Sequence, residues 1–330
     1  MMSLEFLISK IKLNNFLLIG RAGVDIYPDP PGTKTEDAKN FVTHLGGSSA
    51  NLGVELTKFG GRCSLLTRVS NDALGRLALN QLDFYSVKRD LIKFEENESR
   101  ISFAIVESTT EDHQSIIYRH KAADLFLNKE DIDFAKISNY DCILITGTAL
   151  AAQPSRDAVL YALDIAQNNN IPVVMDIDYR PYTWESQDSA KAIYNKAAEK
   201  CSGIIGNDDE FAVLSGNYSK GLNFAKNLSS SCDLIIYKKG EKGSITFTEN
   251  KEIKKGIFPV RPLKPTGAGD AFMGALIGAL LNNYDIEKAI EIGSAAAAIV
   301  VTKVGCAPAM PNLEEIIKFM KTNTINLGEK

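Results

Sequence analysis

The sequence predicts an α/β protein: a mostly parallel central sheet with helices on both faces, and a small β-sheet set apart from it. Three observations predict this. From residue 142 onward, short apolar β-rich runs alternate with longer runs of helical period, the pattern of parallel strands joined by crossover helices. In the first half, residues 100–107 and 114–120 are both β-rich with no helix between them, so this pair leaves the main sheet. A chain of 330 residues is also long for one core, which favours a large domain with an appendage over two equal halves.

The elements follow in order. Residues 16–19 are an apolar run ending at Gly20, the first buried strand, and the Pro-rich stretch Tyr27-Pro28-Asp29-Pro30-Pro31-Gly32 reads as a loop because proline cannot continue a central strand. Between residues 49 and 59 the apolar positions Leu52, Val54, Leu56 and Phe59 suit a helix; residues 62–69 read as a strand and 74–84 as another helix. Residues 108–113 are polar and form the turn of the hairpin. Strand and helix then alternate through 142–146 and 155–167, 172–177 and 190–200, 203–205 and 209–214, ending on a strand at 234–238. An antiparallel pair at 244–247 and 253–258 and two long helices at 268–282 and 286–302 close the chain. Ligands of such a sheet bind beyond the carboxyl ends of its strands.

Composition narrows the function. A formal charge of -4 and the lack of any Lys/Arg run leave no field for nucleic acid. The five cysteines are odd in number and widely spaced, so a disulfide framework or a CxxC knuckle is not expected, and a reducing cytoplasm is. Three histidines supply poorly either a zinc cluster or a Ser-His-Asp triad. Glu5, Lys10 and Lys12 interrupt the first fifteen residues as a signal core, and the apolar run 271–281 is too short to span a bilayer, so a soluble protein without a membrane partner is expected.

Two constellations carry chemistry. Pro265-Thr266-Gly267-Ala268-Gly269-Asp270-Ala271-Phe272 sets an acid behind two glycines where a helix begins. Glycines admit close approach of a ligand, and the unpaired first-turn amides of a helix suit an anion. A carboxylate there would repel phosphate, so Asp270 makes sense as a base taking a proton from an attacking hydroxyl; stabilisation of the helix's positive end explains it about as well. No GxxxxGK[ST] loop occurs, and the glycines are wrongly spaced and too late for a dinucleotide fingerprint. The second constellation, Leu45-Gly46-Gly47-Ser48-Ser49-Ala50-Asn51, joins a strand to a helix; Asn51 suits hydroxyl ligands, although a glycine turn with Ser49 as N-cap also accounts for it.

Gly46-Gly47 with Asn51, and Thr266-Gly267-Ala268-Gly269-Asp270, resemble the two signatures of the ribokinase-like (PfkB) carbohydrate kinase family, in order and at suitable distance. The resemblance covers nearly the whole chain. It extends to Asn207-Asp208-Asp209-Glu210, similar to the family's NxxE motif, and to Lys239-Gly240-Glu241-Lys242-Gly243, where its nucleotide loop lies. Gly20-Arg21-Ala22-Gly23-Val24-Asp25-Ile26-Tyr27-Pro28, Gly147-Thr148-Ala149-Leu150, Asp176-Ile177-Asp178-Tyr179-Arg180-Pro181-Tyr182-Thr183-Trp184, Leu263-Lys264-Pro265 and, less specifically, Ala307-Pro308-Ala309-Met310-Pro311 resemble the subgroup that acts on 5-dehydro-2-deoxy-D-gluconate in inositol breakdown. One position departs: Thr266 stands where that subgroup has phenylalanine, although threonine is the wider family's habit.

The resemblance implies a single domain over 1–330 with a three-layer sandwich and a β lid from about 27–45 and 98–125. It implies an ATP-dependent kinase that phosphorylates the primary hydroxyl of a keto-deoxy sugar acid, with 2-keto-3-deoxygluconate or fructose as alternative acceptors and a non-catalytic sugar sensor as the alternative of another class. Asp270 would be the general base, and the amides of Gly267, Ala268, Gly269 and Asp270 the anion hole. Lys239, Gly240, Gly243, Thr266 and Gly269 would meet the nucleotide; Asp25, Gly46, Gly47, Asn51, Arg119 and Arg180 the sugar. Arg180 suits a keto acid because a guanidinium grips planar oxygens with two bonds, and pairing with Asp176 or Asp178 is its other explanation. Asn207 and Glu210 would arrange Mg²⁺ through water, and a capping interaction explains the same spacing. A monovalent cation (K⁺) beside the anion hole, as in some relatives, and a homodimer formed through the lid complete what is implied.

Overall fold

The computed structural model describes residues 3–109 and 111–326. Thr110, in the expected hairpin turn, and Met1 and Met2, in the segment read for a signal, lie outside the described residues. Helix α1 (Leu4–Ile11) precedes strand β1 (Phe16–Ile19); β2 (Gly23–Asp29), β3 (Asn40–Gly46), α2 (Ser48–Lys58) and β4 (Cys63–Leu66) follow. Next come β5 (Arg68–Ser70), α3 (Ala73–Phe84), β6 (Lys93–Glu95), β7 (Ser102–Val106), β8 (Ser115–Tyr118) and α4 (Lys129–Ala135). The alternating series is β9 (Cys142–Thr146), α5 (Ser155–Asn168), β10 (Val173–Asp176), α6 (Gln187–Ala198), β11 (Gly203–Asn207), α7 (Asp208–Ser215), α8 (Gly221–Leu228) and β12 (Leu234–Lys238). The chain closes with β13 (Ser244–Phe247), β14 (Glu252–Lys255), α9 (Ala268–Leu281), α10 (Ile286–Val301) and α11 (Leu313–Thr322).

Eight strands form the main sheet in the order β14-β13-β12-β11-β10-β9-β1-β4, parallel from β4 to β12 and antiparallel beyond. The chain passes from β1 to β4 on one side and later fills the other side from β9, so β1 marks the switch in strand order, where a crevice opens at the carboxyl ends. Both faces are covered, and the period of two shows it. Phe16 and Leu18 pack with Leu52, Leu276 and Ile290 on one face, while Leu17 and Ile19 pack with Leu160, Leu163 and Phe211 on the other. Truncating such a residue, Leu18→Ala for instance, removes about 2–5 kcal/mol through lost transfer energy and the cavity left behind. The expected α/β architecture is therefore present, with a separate four-stranded sheet in the order β3-β2-β7-β8.

Several local readings change. Strand β2 runs through Pro28 to Asp29 instead of giving way to a loop. Pro28 is tolerated because β7 pairs with β2 only as far as Ile26, leaving β3 as the one neighbour where an amide is missing. The predicted strand at 62–69 breaks at Thr67 into β4, in the main sheet, and β5, paired with β6. The last strand spans Glu252–Lys255, earlier than the apolar residues Ile257 and Phe258 suggest. Helices α1, α4, α8 and α11 are short pieces that the alternation does not mark. No helix among the described residues is long and apolar enough to cross a membrane.

Candidate active site

A cavity of about 810 Å³ lies at the carboxyl ends of the parallel strands. One wall traces to strand ends: Arg21 follows β1, Asp176 ends β10, Asn207 ends β11 and Lys238 ends β12. Alternation in the small sheet turns Ala104, Val106, Ser115 and Ile117 toward the cavity, and Phe103 and Tyr118, stacked with ring centroids 4.6 Å apart, lie on its other face.

Helix α9 opens on this cavity. Its N-cap is Gly267, at φ 86°, with no side chain capping it, so the amides of Ala268, Gly269 and Asp270 keep the freedom of a first turn to bind an anion. A β-carbon at Gly267 would sit 2.9 Å from Cys306 Sγ and 3.0 Å from Val300 Cγ1, so glycine is required by backbone and by space. Asp270 Oδ2 accepts a 2.9 Å hydrogen bond from Asn51 Nδ2. Burial, and next the charge of Asp178, push the Asp270 carboxyl up to about 8, against the Asn51 bond and Arg180. A carboxyl so poised suits proton transfer near neutral pH.

Asp270 is one of four acids gathered here. Asp176 and Glu210 are buried, and burial raises both, Glu210 to about 7, with Asp178 adding to the rise of Asp176, Asp176 to that of Glu210, and the Lys238 ammonium opposing both. Lys238 Nζ lies 3.9 Å from Asp176; burial works against its charge, but Asp176, Glu210 and Asp270 outweigh that and hold its pKa above the ordinary lysine value. Asp178 adopts φ 41°, a strained conformation for a residue with a side chain, and pairs with Arg180 Nη2 at 2.6 Å while its Oδ2 is buried without a partner. That pairing, more than burial can oppose, raises the Arg180 pKa further.

Elsewhere in the cavity, Asp25 stands against Gly46. A β-carbon at Gly46 would overlap the Asp25 carboxyl, which explains a glycine that does not itself line the cavity. Burial raises Asp25 to about 6 against Arg21 and Lys264. Gly47 and Asn51 line the cavity.

The structure thus brings together Asp25, Gly47, Asn51, Arg180, Asn207, Glu210, Gly240, Gly243, Thr266, Gly267, Ala268, Gly269 and Asp270. It does not bring Arg119. That side chain is buried, donates to Asp124 Oδ2 at 2.5 Å and to the Thr148 carbonyl at 3.0 Å, and does not line the cavity. Lys239 is also absent from the lining, and Lys238 stands there instead. Asn207 and Glu210 form a capping box: Asn207 Oδ1 accepts from the Glu210 amide at 2.9 Å and Glu210 Oε2 from the Asn207 amide at 2.7 Å, while Oε1 accepts from Tyr179. Ser49 is not an N-cap; Gly47 holds that place, and Ser49 Oγ bonds Thr146 Oγ1 at 2.8 Å. Lys238 lies outside the sequence motifs, and Asp178 enters them only within the segment 176–184 and as a candidate partner of Arg180. The signal that finds Lys238 is a polar residue ending an apolar parallel strand, since those ends converge on one crevice.

Comparison with known proteins gives one answer. Residues 14–313 match the model of the pfkB family carbohydrate kinases. A 5-dehydro-2-deoxygluconokinase of Photobacterium profundum is 36% identical over 317 residues, covering 94% of this chain and 96% of its own. One of Geobacillus kaustophilus is 35% identical, covering 93% of each. Among solved structures, a double mutant of Vibrio cholerae O395 fructokinase with fructose, ADP and potassium ion superposes with a TM-score of 0.79 at 24% identity, covering 93% of this chain and 98% of that one. Aminoimidazole riboside kinase of Salmonella enterica, complexed with aminoimidazole riboside and an ATP analog, gives 0.77 at 23%, covering 92% and 99%. Both share the fold.

Proposed function

The chain belongs to the pfkB family of carbohydrate kinases and is a sugar kinase of ribokinase-like fold, and from that premise we propose that it transfers the γ-phosphate of ATP to the primary hydroxyl of 5-dehydro-2-deoxy-D-gluconate. The observation that carries the mechanism is Asp270 at the head of α9, bonded to Asn51 and beside open first-turn amides. Asp270 takes the proton of the sugar hydroxyl, and the amides of Gly267 to Asp270 hold the phosphoryl oxygens. Phosphoryl transfer needs alignment and charge stabilisation more than covalent help, and a preorganised set of N–H donors supplies both.

Arg180, about half exposed and aimed at the cavity, offers its remaining donors to the acid group of the sugar, with Asp178 holding its other edge. Asp25 and Asn51 take the hydroxyls. The nucleotide lies along Gly240, Gly243 and Thr266, where Ile257, Phe258 and Ala297 offer an apolar slot to a base. Asn207, Glu210, Asp176 and Asp178 form an oxygen-only donor set that suits Mg²⁺, which when bound would neutralise phosphate charge. Among the described residues no three carboxylates or histidines could hold a metal alone, so these groups would act on it through water.

The small sheet serves as a lid over a single kinase domain, since water would compete with the sugar for phosphate. Its exposed Phe41, Val42, Ile116 and Tyr118 support pairing with a second copy, testable by light scattering. ATP consumption measured across keto-deoxy sugar acids and ketohexoses tests the acceptor. Fastest turnover with 5-dehydro-2-deoxy-D-gluconate is expected, faster turnover of fructose would move the assignment, and none at all would favour a sugar sensor.

A further inference from the structure

Lys264 is fully buried, a rare state for a lysine, and its surroundings are not those of an ion pair. Its ammonium donates to the Thr266 carbonyl at 2.6 Å and the Val300 carbonyl at 3.4 Å, with Cys306 Sγ at 3.9 Å. No carboxylate among the described residues pairs with it; Asp25 feels its charge only from further off. Burying a charge without a counter-ion is costly, so the site must use it.

The two carbonyls explain how. Val300 is in the last turn of α10, the negative end of that helix, and Thr266 immediately precedes the N-cap of α9. One ammonium therefore ties the end of one helix to the beginning of the other. Because the peptide unit is planar and trans, holding the Thr266 carbonyl also fixes the plane of the Gly267 amide on its opposite side. The positive charge sits behind the turn where the transferring phosphate would be held, adding to the field of its amides.

Carbonyl oxygens and no carboxylate are also what a partly dehydrated monovalent cation would take as ligands. Here the ammonium already binds them, and a K⁺ at the same place does not fit. We propose that Lys264 is a built-in substitute for a monovalent cation, a positioning residue that sets the anion-binding turn, and that this kinase works without K⁺. The proposal rests on the kinase reading above.

The test holds ionic strength constant while KCl is exchanged for NaCl, LiCl and choline chloride. Turnover is expected to vary by less than about twofold, and the melting temperature to show no potassium-specific rise, since a cation that binds only the folded state would stabilise it by mass action. A potassium-specific gain in turnover of about fivefold or more, or a potassium-specific rise in melting temperature, overturns the proposal. The melting readout needs no turnover, so it separates failure here from failure of the kinase reading. Lys264→Met removes the charge at similar length. We expect kcat to fall by about tenfold or more, with the sugar KM moving less than about threefold, as for loss of a transition-state electrostatic contribution. A kcat within about twofold of the unaltered enzyme overturns the positioning role. Should that variant not fold, the cation series on the unaltered enzyme decides.

Discussion

Helices α2 and α9 both begin at a glycine with positive φ, 92° at Gly47 and 86° at Gly267, and both point their first turns at one cavity. What they do with those turns differs. In α2, Ser48, Ser49, Ala50 and Asn51 are buried; the Ala50 amide donates to the Arg21 carbonyl at 3.2 Å, and the Ser49 hydroxyl bonds Thr146 and the Ile19 carbonyl. Neither helix has a capping side chain, but in α9 Ala268, Gly269 and Asp270 stay partly open to the cavity. The first turn is buried, with its Ala50 amide taken by the Arg21 carbonyl, and so acts as a wall. The second is left incomplete, and incompleteness at a helix N-terminus is what an anion can complete. Asn51 joins the two by reaching from the buried turn to Asp270 on the open one.

The comparison breaks most severely at Asp270. Asp270→Asn keeps the shape and removes the base, so kcat is expected to fall by about 10²–10⁴ while the sugar KM stays within a few-fold, measured in a coupled assay. Stability should move the other way. The folded carboxyl titrates at about 8, above its ordinary 3.8, so its stabilising neutral form is complete below the ordinary value and lost as pH rises through about 8. The melting temperature of the unaltered enzyme should therefore decline across that window, and Asp270→Asn should flatten part of the decline. A variant with the same slope would remove Asp270 as its source.

Gly267→Ala tests whether the open turn depends on its backbone. Left-handed strain costs about 1–2 kcal/mol, and the contact with Cys306 adds to it, so a lower melting temperature with reduced kcat is expected. An alanine variant of full activity and stability would show that the turn tolerates another conformation.

Asn51→Ala cuts the link between the two turns. The ascending limb of kcat/KM against pH, expected near 8 because the base must be deprotonated, should move higher once the bond that favours the carboxylate is gone. An unmoved limb would assign it to another member of the coupled acid cluster.

Ser49→Ala is the mild case, expected to leave kcat unchanged while costing about 1 kcal/mol in a denaturant titration, since one buried hydroxyl and its partner at Thr146 lose a bond. A large loss of activity would mean that Ser49 itself takes part in binding, beside Asn51 of the same turn.

Much of this can be read from residue order. The alternation from β9 to β12, the hairpin β7–β8 and the helix start at Gly267 are set by short-range chemistry: hydrophobic period, turn residues and proline. The same local rules misread Pro28, because whether a proline interrupts a strand depends on which neighbour lies beside it, and that neighbour, β3, is more than ten residues away. Arg119 reads as free to meet the sugar for a similar reason; its partners Asp124 and the Thr148 carbonyl take it only in the folded chain.

The sequence by itself determined the α/β architecture and the place of Asp270 behind two glycines at a helix start. Only the tertiary structure decided that Asp176, Asp178, Glu210, Lys238 and Arg180 share one cavity with Asp270, that Asn51 bonds Asp270, and that Lys264 stands behind the turn. The reason is physical. Element type follows from interactions within a few residues, whereas a site at the carboxyl end of a parallel sheet is assembled from strand ends whose adjacency depends on strand order and register, set by packing across the whole chain.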